Sequence, residues 1–271
     1  MENYLIKKSK IICIIPAAGK STRFKSGNKL YEDIIEDDGG ALHNIIFKLV
    51  LLNDIDKLIV GYDEECKDAC VYRDTITSIK DNDPLVHRFA VNQTILKKLS
   101  KVHFVKGGNS RQITVFNALQ FVKNLKNDLN DIWILVHDAA RPCITFEELV
   151  NFINRTLESD VSSIMAIPLT DALKEVDGNF KIVKTMSRKN MWLAQTPQMF
   201  KFDILFDALK YCIDNNISIT DESEALEISG QHCRVHIGKS HNIKITYKSD
   251  LEFAKYVLSA IQKKDSEVKN D

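Results

Sequence analysis

Apolar residues along the chain gather in short runs, and most of the intervals between them carry polar and apolar residues at helical spacing. The runs fall at Ile11 to Ile15, Lys57 to Val60, Val102 to Val105, Ile132 to Val136, Ser163 to Ile167 and Arg234 to Ile237. Each is too short to span a membrane and fits a buried strand. Strands alternating with amphipathic helices predict an α/β fold, a mainly parallel sheet with helices on both faces. In such sheets ligands bind beyond the carboxyl ends of the strands. The distinctive residues of this chain follow Ile15, Val105, Val136 and Ile167, at those ends.

Two segments break the pattern. Residues 63–100 are long for one crossover and contain the turn signal Asp81-Asn-Asp-Pro84, which predicts a helical insertion on the surface. Residues Ala172 to Met186 alternate about Asp177-Gly178 and predict a β-hairpin, part of an arm over about 172–190. A hairpin outside the sheet cannot bury its apolar face alone, so this one is expected to pack on another subunit. The remainder reads as a single domain over 1–261, followed by a polar tail, 262–271, expected to fray.

Composition narrows the function. With 37 basic and 37 acidic residues in 271, the chain lacks the basic excess of a general nucleic-acid binder, so local cation clusters must carry any anion binding. Residues Met1 to Lys10 have neither the apolar core nor the small-residue cleavage site of a secretory signal, and no run is long enough for a membrane span. A cytoplasmic location is expected. The six scattered cysteines read as free thiols; Cys66 and Cys70 sit at helical spacing without a zinc pattern around them.

The candidate chemistry begins where the first run meets Pro16-Ala-Ala-Gly19-Lys-Ser-Thr-Arg23, with Lys29 close behind. Pro16, lacking an amide hydrogen, is expected to end the ladder. Ala17, Ala18 and Gly19 leave backbone amides open to phosphate oxygens, and Lys20, Arg23 and Lys29 add charge. A P-loop fails at Ile14, where that motif needs glycine, and a dinucleotide fingerprint fails because no glycine follows Gly19 until Gly27. An anion cradle and an ordinary strand-to-helix turn both remain open for the loop alone.

Other segments add to it. Leu135-Val-His-Asp-Ala-Ala-Arg-Pro142 ends a strand in a carboxylate and an arginine, suited to hold Mg²⁺ on Asp138 and a phosphate on Arg141. His137 reads as an imidazole bonding the backbone. Val105-Lys-Gly-Gly-Asn-Ser-Arg111 places two glycines at a strand end. Asp221 with Glu224 fits a capping box, leaving Thr220 freer to reach a ligand. Lys244, in the strand-like run Asn242 to Thr246, needs an anionic partner if half-buried.

In order along the chain, Pro16-Ala-Ala-Gly19 with Arg23 and Lys29, Gly107-Gly108 with Arg111, His137-Asp-Ala-Ala-Arg-Pro142, Thr170-Asp171 with Lys174, Gln195-Thr-Pro-Gln198, Thr220-Asp-Glu222 and Asn242-Ile-Lys-Ile-Thr246 resemble the 2-C-methyl-D-erythritol 4-phosphate cytidylyltransferase family. The resemblance implies a Rossmann-like domain, a hairpin arm that reaches into the partner of a homodimer, and cytidylyl transfer from CTP to methylerythritol phosphate with release of pyrophosphate. It implies Arg23, Lys29 and Lys244 as catalytic and Asp138 as ligand to Mg²⁺ and substrate. It assigns Pro16, Ala17, Ala18, Gly19, Gly108, Asn109 and Thr114 to CTP. The polyol phosphate falls to Arg141, Thr196 and Thr220, with Arg188 serving the neighbouring active site. Three positions depart from the family pattern: Ser21 stands for a glycine, Asn28 for a proline and Ala172 for a threonine. Ribitol 5-phosphate as the acceptor, and a non-catalytic nucleotide-binding paralogue, are the competing readings.

Overall fold

The computed structural model describes residues 10–21, 24, 28–32, 34, 39–78, 97–125 and 128–267. Its seven-stranded sheet is ordered β3-β2-β1-β4-β8-β5-β9. These strands are β1 (Lys10–Ala17), β2 (Ile55–Tyr62), β3 (Val102–Lys106), β4 (Ile132–Val136), β5 (Ser163–Pro168), β8 (Trp192–Lys201) and β9 (Arg234–Ile237). Every neighbouring pair is parallel except the two that β8 makes, with β4 and with β5. All six predicted runs are strands. The apolar runs do not predict β8, because Gln195, Thr196 and Gln198 interrupt its apolar residues. All three are buried.

Successive side chains of a strand point to opposite faces, so the unbroken run in β1 serves two cores. Ile11, Cys13 and Ile15 pack with α1 (Ala41–Leu51), α4 (Phe146–Ser159) and α7 (Lys248–Glu267). Ile12 and Ile14 pack with α3 (Arg111–Leu125), α5 (Phe202–Asp214) and α6 (Glu222–Ile228). Helix α4 starts on a full capping box: Thr145 Oγ1 accepts from the Glu148 amide, and the Glu148 carboxylate accepts from the Thr145 amide.

Pro16 does not end the ladder on both sides. The β1–β4 register stops at Ile14 with Val136, whereas β1 continues along β2 through Pro16 with Gly61 and Ala17 with Tyr62. The Ile14 carbonyl accepts from the His137 amide, so Pro16, two residues on, turns its missing donor to that same side, past the end of the β4 ladder. The opening between β1 and β4 is also where strand order reverses, the switch point at which open α/β sheets bind ligands.

The arm is present as β6 (Leu173–Val176) paired antiparallel with β7 (Ile182–Met186), and both strands are exposed throughout. Its turn is longer than the two-residue loop that Asp177-Gly178 signals. Asp177 Oδ1 accepts from the amides of Asn179 and Lys181, and Phe180 takes the left-handed conformation at φ +62°. Within 63–100, α2 spans Lys67–Ser78, and the Asp81 to Pro84 turn signal lies outside the described residues. At the other end α7 stays helical to Glu267, past Gln262 where polarity predicts fraying; straight-chain polar residues are good helix formers.

Candidate active site

The carboxyl ends of β1, β2, β3 and β4 open into a cavity of about 850 Å³. It is lined by Ala18, Gly19, Lys29, Gly108, Asp138 and Lys244, among others. The size falls in the range of small-ligand sites, about 300–1,000 Å³.

Two close approaches of backbone shape one wall. A Cβ on Gly107 would stand 2.3 Å from the Cβ of Ala18, and one on Gly108 would stand 2.2 Å from Ile113 Cγ2. The Gly107 amide donates to the Tyr62 carbonyl at 2.8 Å, and Thr114 Oγ1 accepts from the Gly108 amide at 3.0 Å. Ser110 Oγ accepts from the Ile113 amide and starts α3. Gly19 meets nothing within 4 Å of an added Cβ, so its main chain is open to the cavity.

The two loop departures meet each other. Ser21 adopts φ +49°, the left-handed region that glycine takes without cost, and its hydroxyl donates to Asn28 Oδ1 at 3.1 Å. Asn28 Oδ1 also accepts from the Leu30 amide, and Asn28 Nδ2 contacts Cys66 Sγ. A side-chain clasp thus stands where the family pattern has glycine and proline. Lys29 follows it and donates to the Ile245 carbonyl at 2.5 Å.

Asp138 is the centre of charge. Its Oδ1 lies 3.0 Å from Arg111 Nε, its Oδ2 lies 2.8 Å from Lys244 Nζ, and Arg141 Nε stands 3.8 Å from Oδ2. Burial alone would raise the carboxyl, but Arg111, Lys244 and Arg141 together hold it far below the ordinary carboxylate range. Lys244 thus has the anionic partner that its sequence context required. Its segment is a loop rather than the expected strand, pinned by the Ile245 amide on the Ala140 carbonyl and by Asn242 Nδ2 on the Thr196 carbonyl.

Behind Asp138 the hydrogen bonds fix one imidazole tautomer. Thr196 Oγ1 accepts from the Asp138 amide at 2.9 Å and donates to His137 Nδ1 at 3.2 Å, leaving Nε2 to donate to the Arg141 carbonyl at 3.1 Å. Burial pushes His137 down to about 4, so the ring is neutral. It braces the loop, as its sequence position suggested. Cys143 is fully buried and its thiol is pushed up to about 11 by that burial, which makes it a packing residue.

The structure therefore brings Pro16, Ala18, Gly19, Lys29, Gly108, Asn109, Thr114, Asp138 and Lys244 to one cavity. Ala17 is buried in the ladder beside Tyr62. Arg141 turns to the carbonyls of Asn242 and Ala194, and the Thr196 hydroxyl is committed beneath Asp138. Thr220 is not free: its amide and hydroxyl both donate to Glu224 Oε2, so Glu224 reaches past Asp221 and the expected capping box is only half made. Arg188 donates to the Thr170 carbonyl at the base of the arm. Arg23 lies outside the described residues.

The sequence marks Glu222 only as part of the Thr220-Asp-Glu222 match and gives it no role, yet it is 0 % exposed and lies 2.6 Å from Arg111 Nη1. Its place next to the helix-capping Asp221 made it look like an ordinary first-turn acid. Among the described residues no group of three or more His, Cys, Asp or Glu side chains would hold a metal ion by itself. Asp138 supplies one ionised carboxylate, which suits a hard cation that brings phosphate oxygens and water as its other ligands.

A family model described as 2-C-methyl-D-erythritol 4-phosphate cytidylyltransferase matches residues 11–260. The protein of that name from Acinetobacter baumannii (strain SDF) is 38% identical over 254 residues, covering 93% of this chain and 95% of the relative. That from Actinobacillus pleuropneumoniae serotype 7 is 33% identical over 253 residues, covering 92% and 96%. Among solved structures, the Francisella tularensis enzyme of the same name superposes with a TM-score of 0.66 at 30% identity, covering 92% of this chain and all of that one. By the match over residues 11–260, the identity to its relatives and the superposed fold, the chain belongs to the 2-C-methyl-D-erythritol 4-phosphate cytidylyltransferase family.

Proposed function

We propose that this protein transfers a cytidylyl group from CTP to 2-C-methyl-D-erythritol 4-phosphate, releasing pyrophosphate, in non-mevalonate isoprenoid biosynthesis. The observation that carries the reading is the buried, ionised Asp138 held between Lys244 and Arg111 in a cavity that Lys29 and the Ala18-Gly19 backbone also line. An oxygen of the polyol phosphate attacks the α-phosphorus of CTP, and the bond to the bridging oxygen of pyrophosphate breaks in line. The protein forms no bond in this step, so positioning and charge neutralisation supply the rate. Backbone amides at Ala18 and Gly19 face the phosphates, and Lys29 and Lys244 neutralise charge as it builds. Arg23 joins them in this proposal. A Mg²⁺ ion held by Asp138 would neutralise and orient phosphate oxygens.

Thr114, Gly108 and Asn109 are placed on the CTP side, with Pro16 and Ala17 behind them, and Arg141, Thr196 and Thr220 on the polyol side. Arg141 and Thr196 act there through the walls they brace. The protein is proposed to work as a homodimer through the β6–β7 arm, whose Val176, Phe180, Ile182 and Val183 are exposed and left uncovered by the described residues. Arg188 then reaches the partner's site. Six free cysteines support a cytoplasmic setting, and no described helix is long and apolar enough to cross a membrane.

Pyrophosphate release from CTP and Mg²⁺, measured with methylerythritol phosphate and separately with ribitol 5-phosphate, tests the proposal. Turnover with the first is expected. Turnover with ribitol 5-phosphate alone would overturn the choice of acceptor, and CTP binding without turnover on either would make the chain a non-catalytic nucleotide binder.

A further inference from the structure

The Arg111 guanidinium joins three segments. It leaves the first turn of α3, places Nε on Asp138 at the end of β4 at 3.0 Å, and places Nη1 on Glu222 at the start of α6 at 2.6 Å. Glu222 is wholly buried and does not line the cavity. Its Oε2 and Arg111 Nη2 have no hydrogen-bond partner among the described residues. A pair buried at such cost gives little net stability, because desolvation offsets most of the attraction. Its geometry has a clear consequence for Asp138, however. An arginine facing one carboxylate closes on both its oxygens in a two-pronged contact. Here Glu222 engages Nη1 at the far corner of the guanidinium, Nη2 reaches neither carboxylate, and Arg111 takes only Oδ1 through Nε. Oδ2 is thereby left to Lys244, at 2.8 Å. Glu222 also balances one of the three cations, Arg111, Arg141 and Lys244, that converge on a single Asp138 carboxylate.

We propose that Glu222 is a positioning residue that acts through Arg111, fixing the tilt of the guanidinium so that only its Nε meets Asp138 and Oδ2 is left to Lys244. The inference rests on the cytidylyl-transfer reading for its kinetic consequence, and on the bridge alone for its energetic one. In Glu222→Gln, Arg111 loses its charged anchor and turns onto Asp138.

The tests are turnover of CTP with methylerythritol phosphate and urea unfolding, both on the full chain. Glu222→Gln is expected to lower kcat by about tenfold to a hundredfold in protein of wild-type fold. Glu222→Asp, which keeps the charge, is expected to recover part of the loss. Adding Glu222→Gln to Arg111→Lys, which cannot span both carboxylates, is expected to lower kcat no further. Wild-type kcat in Glu222→Gln, or an equal further fall in the Arg111→Lys background, overturns the proposal. If Glu222→Gln does not fold, Arg111→Lys alone decides: the same fall supports the bridge, and wild-type kcat overturns it. A wild type silent with every polyol phosphate sinks the function reading instead. The bridge is then judged by unfolding of Glu222→Gln, Asp138→Asn and the double variant, for which non-additivity of about tenfold in the unfolding constant is expected and additivity overturns it.

Discussion

Replacing Gly107 by alanine adds a single methyl where Ala18-Gly19 and Gly107-Gly108 meet in the cavity wall. The new Cβ would lie 2.3 Å from Ala18 Cβ, about 1 Å short of ordinary contact at 3.4 Å, and 3.1 Å from the Tyr62 carbonyl oxygen. Neither neighbour can swing away. Ala18 Cβ is fixed to its own backbone, and the Tyr62 carbonyl is already bonded to the Gly107 amide at 2.8 Å. The main chain must therefore separate, moving either Ala18-Gly19 or Gly107-Gly108, and both pairs line the cavity. Overpacking of this kind costs about 1–3 kcal/mol of stability. A displacement near 1 Å in a positioned site costs about a hundredfold in rate.

Gly107→Ala is thus expected to lower the urea midpoint modestly and to raise the KM for CTP while lowering kcat. Steady-state pyrophosphate release with urea unfolding on the same preparation reads both. The sharper control is Ala18→Gly, which removes the atom that Gly107→Ala strikes. The double variant is expected to regain most of the lost kcat/KM, although each single change is harmful alone. If Gly107→Ala matches wild type in KM and midpoint, or if Ala18→Gly worsens it additively, the steric account of this wall is wrong.

Lys29→Ala is expected to cut kcat by about two to three orders of magnitude while CTP binding, read by calorimetry, weakens far less; near-wild-type turnover would remove Lys29 from charge stabilisation. His137 is held neutral at about 4 in the folded chain, against about 6.5 when unfolded, so the unfolded state binds the extra proton between those values. Stability is accordingly expected to fall by about 3 kcal/mol as pH drops from 6.5 to 4, and urea midpoints of His137→Gln should show a shallower slope across that window. Phe180→Asp with Ile182→Asp, on the exposed arm, is expected to yield a monomer by sedimentation with unchanged far-ultraviolet circular dichroism; an undisturbed dimer would place the interface elsewhere.

The same residues show what the sequence exposed and what it hid. Buried parallel strands announce themselves, because both faces must be apolar, and the run Ile11 to Ile15 divides cleanly between two cores. Strand β8 hid for the opposite reason. Gln195, Thr196 and Gln198 are buried without being apolar, and each makes a hydrogen bond to a distant segment: Gln195 to the Lys239 carbonyl, Thr196 to the Asp138 amide and Gln198 to Asp221. Polar residues in a strand read as surface until their partners are known, and those partners lie 44, 58 and 23 residues away. The candidate site divides along the same line. Asp138 and Gly107-Gly108 sit at strand ends and Lys29 in the loop region that follows β1, where local sequence marks them. Glu222 falls within the Thr220-Asp-Glu222 match, but its role is visible only through Arg111, 111 residues earlier. Ser21 and Asn28 read as two separate departures, yet one hydroxyl joined to one amide oxygen ties the loop through side chains, where glycine frees the backbone and proline restricts it. Pairwise contacts, rather than residue types, carry the information that periodicity lacks, and they mark where this chain's site is tuned differently from the family pattern it follows.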